Sequence, residues 1–90
     1  MRLLWDERAW AEYLEWQSED KKTLKKINTL LKDIQRNGCR DGIGKPEPLQ
    51  GNLTEWWSRH IDEKNRIVYR EKDGIIIVAS CKGHYDNAPE

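Results

Sequence analysis

Only two cysteines, Cys39 and Cys81, occur in 90 residues. That is too few for a disulfide framework, and no C-x-x-C or Cys/His spacing suggests zinc. Both read as reduced thiols in a cytosolic setting, Cys81 as a small hydrophobe at a strand end and Cys39 in a loop. Long apolar runs are also missing. The longest is Ile75 to Ala79, and Arg2 is followed only by Leu3, Leu4 and Trp5 before Asp6. Neither suffices for a membrane span or a signal-peptide core. Net charge is absent as well: 16 Lys and Arg cancel 16 Asp and Glu, so the whole-molecule field exerts no global pull on nucleic acid. Finally, G-x-S-x-G, G-x-x-x-x-G-K-S/T and G-x-G-x-x-G do not occur, which removes the serine-hydrolase, P-loop and dinucleotide readings.

What is present fits one small core. Five Trp and three Tyr accompany the Ile, Leu and Val content, enough apolar matter to argue against disorder. Charge is balanced overall but lopsided along the chain. Asp6 to Asp20 holds six acids against Arg8, whereas Lys21 to Arg40 holds seven bases against Asp33. Two solvated, complementary helix faces would explain this, and so would a polyanion partner.

Arg2 to Trp5 reads as a short strand, and Asp6 offers a side-chain cap for a helix running to about Gln17. Trp10, Tyr13, Leu14 and Gln17 share its expected core face, with Trp16 at the margin. Ser18 or Asp20 caps a second helix whose stripe is Leu24, Ile27, Leu30, Leu31 and Ile34 and whose other face is lysine. Asn37-Gly38 should end it, because both residues tolerate the left-handed conformation. Gly38 to Gln50 carries Gly38, Gly42, Gly44, Pro46 and Pro48 and reads as a long loop. Three β-type runs follow at hairpin spacing, near Glu55–Ile61, Arg66–Glu71 and Ile75–Lys82. The last lacks alternation and should be covered on both faces. The expected fold class is α+β: two N-terminal antiparallel helices packed on a mainly antiparallel sheet.

Reactive groups are few. Of the two histidines, His60 and His84, the second follows the last strand, where it meets the sheet rim; a lone histidine more often satisfies a hydrogen bond or sits in water. Glu47 lies between Pro46 and Pro48, which limit its backbone freedom and preorganise the carboxylate as a base. Arg59 and Arg66 flank the first hairpin, and Arg70 shares a strand face with Arg66 if no bulge intervenes. A carboxylate, guanidinium groups, a histidine and a tyrosine match what RNA cleavage needs: a base for the 2′-OH, cations for the phosphorane, and an acid for the leaving oxygen.

Leu4-Trp5-Asp6, Trp10 to Trp16, Asp20-Lys21 leading into Lys25-Lys26-Ile27-Asn28, Gly44-Lys45-Pro46-Glu47-Pro48-Leu49, Trp57-Ser58-Arg59, Arg66-Ile67-Val68-Tyr69 and His84-Tyr85 together closely resemble the YoeB toxins of the RelE superfamily. The resemblance runs from Leu3 to Tyr85. It implies a RelE-like, microbial-RNase-like fold over residues 1–85, with 86–90 as a short extension. It also implies a ribosome-dependent mRNA endonuclease that cuts in the A site and halts translation, without a cofactor or metal. By motif, Glu47 matches the general base, Arg66 the transition-state arginine, His84 the general acid and Tyr85 a substrate-orienting residue. Arg59 matches a second phosphate-facing arginine. Gln50 stands near the cleaved phosphate, where many relatives carry lysine, and His60 and Gly83 also depart from the family pattern.

The implied partners are a YefM-like antitoxin, the ribosome with its 16S rRNA and A-site mRNA, operator DNA only through the antitoxin complex, and a second copy in a homodimer. On this reading Lys21, Lys22, Lys25, Lys26 and Lys32 sit against ribosomal RNA phosphates. Two other readings stay open: a binding protein that blocks translation without cutting, and an interaction subunit that completes an operator-binding complex.

Overall fold

The computed structural model describes residues 1–49 and 55–83. The chain forms β1 (Arg2–Trp5), α1 (Glu7–Glu19), α2 (Lys21–Asn37), β2 (Glu47–Pro48), β3 (Trp57–His60), β4 (Arg66–Lys72) and β5 (Ile75–Ser80), and the five strands lie in the order β1-β5-β4-β3-β2. β2 to β5 are antiparallel neighbours. β1 instead pairs parallel with β5, because α1 and α2 carry the chain away before it returns.

α2 forms as its spacing predicts. Asp20 caps it through the amides of Lys22 and Thr23, and the Thr23 hydroxyl and amide hold this carboxyl below the usual aspartate range. Ile27, Leu30, Leu31 and Ile34 are buried, and Gly38 ends the helix at φ 84°. They pack with Ile67, Tyr69, Ile76 and Val78 into the main core, which fills the space between the helices and one face of the sheet. β5 exposes neither face fully, in line with its unbroken apolar sequence.

α1 departs from the expected pattern. Its buried residues are Ala9 and Trp16, while Trp10 and Leu14 are each 46% exposed and Gln17 is exposed. A polar anchor fixes this rotation: Trp16 Nε1 donates to the carbonyl of Cys81 at 2.9 Å, and the Cys81 amide donates to Glu12 Oε1 at 2.8 Å. Burial of Cys81 beside this contact pushes its thiol up to about 12. Asp6 occupies the N-cap position but makes no side-chain cap; its amide donates to Val78 and its carbonyl accepts from Trp10. The loop after α2 is also more regular than its composition suggests, since Glu47 and Pro48 pair with Ser58 and Trp57 as an edge strand, a position where proline is tolerated.

Candidate active site

Strand alternation sorts the side chains of the sheet onto two faces. Trp57, Arg59, Ile67 and Tyr69 point toward the helices. Across the register, Glu47 pairs with Ser58 and Ser58 with Val68, while His60 pairs with Arg66. These residues share the opposite, helix-free face. That face has a small apolar floor of Leu49, Val68 and Ala79 with Trp56 packed against it. The bulge between β4 and β5 falls at Val68/Tyr69, where Ala79 is the extra residue of β5, so β4 keeps its alternation and Arg70 shares the face of Arg66.

On this face Glu47 lies between the His60 imidazole and the Arg66 guanidinium. Its Oε1 is 3.8 Å from His60 Nε2 and its Oε2 is 3.9 Å from Arg66 Nη1. Both separations exceed hydrogen-bond range, so the carboxylate is held electrostatically while its lone pairs remain available to an incoming donor. Glu47 is half exposed, whereas the Arg66 side chain is largely covered. Among the described residues, Arg66 Nε is buried without a partner, as are the hydroxyls of Ser58 and Ser80. A row of unsatisfied donors is costly in a closed interior; beside an open carboxylate it is suited to an anion.

The loop holds Glu47 in place from the other side of the sheet. The His60 amide donates to the Gly44 carbonyl at 2.7 Å, and Lys45 turns the chain at φ 52° immediately before Pro46. A side chain at Gly44 would meet Leu30, Arg59 and the His60 carbonyl, so the loop approaches the sheet as closely as glycine allows.

Arg59 requires a correction, because it does not face substrate. It is 0% exposed and its five donors are consumed. Nε donates to Tyr69 Oη at 2.9 Å, Nη1 to Asp33 Oδ2 and the Ile43 carbonyl, and Nη2 to the carbonyls of Gly38 and Asp41 at 2.8 and 2.7 Å. The physical reason is alternation: Arg59 shares its face with Trp57 and points under the loop. Burial opposes ionisation of Asp33, but Arg59 and the Ile43 amide outweigh it and hold the carboxyl below the usual range. Burial pushes Tyr69 up to about 12, and its hydroxyl donates to the Cys39 carbonyl at 2.7 Å.

The structure thus brings Glu47 and Arg66 together and removes Arg59 to the core. Gln50, His84 and Tyr85 lie outside the described residues. Lys21, Lys22, Lys25, Lys26 and Lys32 are exposed on α2, on the helix side of the sheet and away from Glu47. Among the described residues none of the five joins an ion pair; the acids of α1 go instead to Arg8 and Lys82. Sequence reasoning missed His60 as a neighbour of Glu47. Its pairing with Arg66 across the five residues that separate them, on the face opposite Arg59, was the available signal.

The chain resembles known proteins over nearly its whole length. Residues 5–85 match the family model described as the YoeB-like toxin of bacterial type II toxin-antitoxin systems. Toxin YoeB of Escherichia coli K12 is 48% identical over 85 residues, covering 94% of this chain and 100% of that protein. The YoeB dimer from Staphylococcus aureus superposes with a TM-score of 0.90 at 48% identity, covering 94% of this chain and 98% of that one. The heterotetrameric YoeB-YefM complex from the same organism gives 0.86 at 48% identity with the same coverage. With a family model spanning nearly the whole chain and a full-length relative at almost half identity, the chain belongs to the YoeB-like toxin family of type II toxin-antitoxin systems.

Proposed function

We propose that this chain is a ribosome-dependent endoribonuclease that cleaves mRNA in the ribosomal A site and halts translation, over a catalytic unit of residues 1–85 that acts in the cytoplasm. The observation carrying this reading is the Glu47 carboxylate suspended between His60 and Arg66 on the helix-free face. Glu47 takes the proton of a 2′-OH, and the 2′-oxygen attacks the adjacent phosphorus. Arg66 neutralises charge gathering on the phosphorane oxygens. The bond to the 5′-oxygen then breaks, His84 gives that oxygen its proton, and Tyr85 orients the nucleotide. The products are a 2′,3′-cyclic phosphate and a 5′-hydroxyl. Gln50 contacts phosphate as a neutral donor, where a lysine would add charge.

A YefM-like antitoxin binds the chain and disables it, and operator DNA is engaged only through that complex. The exposed lysines of α2 lie against 16S rRNA phosphates when the chain occupies the A site. A second copy packs on the apolar flank of α1. There the rings of Trp5, Trp10 and Tyr13 cluster with centroids 4.7 to 6.0 Å apart, and Trp10 and Leu14 lie open, a concentration of exposed apolar surface that favours burial.

The test is primer extension on a message under translation by ribosomes supplied with the purified chain. Discrete stops within codons are expected, weakened about 10²- to 10⁴-fold by Glu47→Ala, as for loss of a general base. Stalled synthesis on an uncut message would leave a blocking protein in place of a nuclease.

A further inference from the structure

Beyond Glu47 and Arg66, the helix-free face continues along β4 to a second cationic group. Arg70 shares the face of Arg66, about 13 Å further along the strand at the usual rise per residue. That distance is of the order of two nucleotide steps in an extended single strand. Arg70 Nη2 is 3.0 Å from Glu55 Oε2, its guanidinium lies 5.5 Å from the centroid of the Trp56 ring, and its Nε is buried without a partner among the described residues. The Arg70 side chain is mostly covered and the Glu55 carboxylate is mostly exposed.

We propose that Arg70, Trp56 and Glu55 form a binding subsite for a flanking nucleotide of single-stranded RNA, beside the cleavage centre. Arg70 takes the phosphate, and the aromatic ring of Trp56 supports the base. Glu55 occupies the phosphate position in the free protein and swings away when RNA enters. The proposal rests on the endonuclease reading above, since it places the strand along β4 from the scissile phosphate at Arg66.

Three features carry it. First, the trio is continuous with the open carboxylate site: Trp56 and Leu49 pack on Val68, which lies between Arg66 and Arg70 on one face. Second, an arginine against an indole ring joins a planar phosphate-binding fork to a stacking surface, the combination by which single strands are held without reading their sequence. Third, the ion pair with Glu55 leaves the buried Nε of Arg70 without a partner among the described residues, whereas a phosphate offers more acceptor oxygens than a carboxylate to a five-donor group. Trp56 keeps its place on the floor through Leu49, whose amide donates to the Trp56 carbonyl at 2.9 Å.

The test uses the full chain and two oligoribonucleotides, each carrying a 2′-deoxy sugar at the cleavage position so that they bind without reacting. The longer extends two nucleotides to both sides of that position, and the shorter ends at the scissile linkage on both sides. Arg70→Ala is expected to weaken binding of the longer RNA about tenfold while leaving the shorter unaffected. Its logarithmic salt slope should become shallower by about 0.7 to 1. Glu55→Gln should tighten binding of the longer RNA about threefold by removing the competing charge. Arg70→Ala binding both RNAs like the parent chain, or losing equally on both, overturns the subsite. So does a variant that keeps RNA affinity but loses affinity for an acidic antitoxin peptide, which would assign the trio to a protein partner. If the parent chain itself neither cuts translated message nor binds the longer RNA, the failure lies with the endonuclease reading and is recognised as such.

Discussion

Arg59 and Arg66 lie one strand apart, in a hairpin whose register joins Arg59 to Ile67 and His60 to Arg66, yet the two faces of the sheet give them opposite work. On the helix side, Arg59 has every donor matched and no exposed surface. On the open side, Arg66 sits near a carboxylate beyond hydrogen-bond range, and its buried Nε has no partner among the described residues. The same side chain is thus a structural staple where its acceptors come from the protein, and is left open to an outside acceptor where the described residues supply none within hydrogen-bond range. A buried guanidinium is tolerated only when fully satisfied. Partial satisfaction near solvent is what a binding site for an anion leaves behind.

Exchanging the fates of these two arginines produces the largest expected effects. Arg66→Ala should lower cleavage of translated message about 10²- to 10³-fold, the scale of a lost charge-stabilising donor, with the thermal midpoint close to that of the parent chain. Arg59→Ala should lower stability by about 3–5 kcal/mol, because it strands Asp33 and the loop carbonyls. Urea titration and primer extension on the same pair of variants read both. If Arg59→Ala folded normally and lost only cleavage, the division of the sheet into a structural and a reactive face would collapse.

Which parts of this were legible in the sequence follows the same division. The stripe of α2 could be read because its apolar residues are unambiguous and its ends carry Asp20 and Gly38, whose chemistry is local. The rotation of α1 could not, because Trp10, Tyr13, Leu14 and Trp16 offer apolar surface on more than one side. The choice was made by hydrogen bonds that Cys81, just past β5 and more than sixty residues away in the chain, accepts from Trp16 and donates to Glu12. At the site, Glu47 and Arg66 were found through motif and loop chemistry. Arg59 was misread because an arginine's type does not reveal its face, although alternation with the packed Trp57 would have placed it. The parallel pairing of β1 left no local trace, since a four-residue strand takes its partner from the crossover.

The loop from Gly38 to Gly44 joins the two faces, and a smaller perturbation there should separate its two functions. Gly42 has φ 129°, and a Cβ on it would stand 1.9 Å from Asp33 Oδ2 and 2.7 Å from Arg59 Nη1. Gly42→Ala should therefore cost about 1–3 kcal/mol through backbone strain and displacement of the ion pair. Since the same loop leads through Gly44 to Glu47, cleavage should fall by more than the loss of folded protein explains. A Gly42→Ala chain with lowered stability but parental activity per folded molecule would show that Glu47 is positioned by Pro46, Pro48 and β3 alone.

The smallest effect is electrostatic and discriminates by its dependence on pH. Asp33 titrates below the usual aspartate range because Arg59 and the Ile43 amide outweigh the opposing effect of burial. The unfolded chain therefore binds more protons than the folded one across that interval. Stability from this carboxylate is complete above the ordinary aspartate range and is lost as pH falls through the lowered folded value. Asp20 and Asp62 are shifted in the same direction, so the total acid slope does not isolate Asp33, whereas the difference between the parent chain and Asp33→Asn does. That difference, measured by urea titration, should be constant near neutral pH and shrink below the ordinary carboxylate range. A gap that persisted at the lowest pH would mean that Asp33 acts on Arg59 through shape and hydrogen bonding rather than charge. The ionised pair would then not be what holds the loop against the structural face.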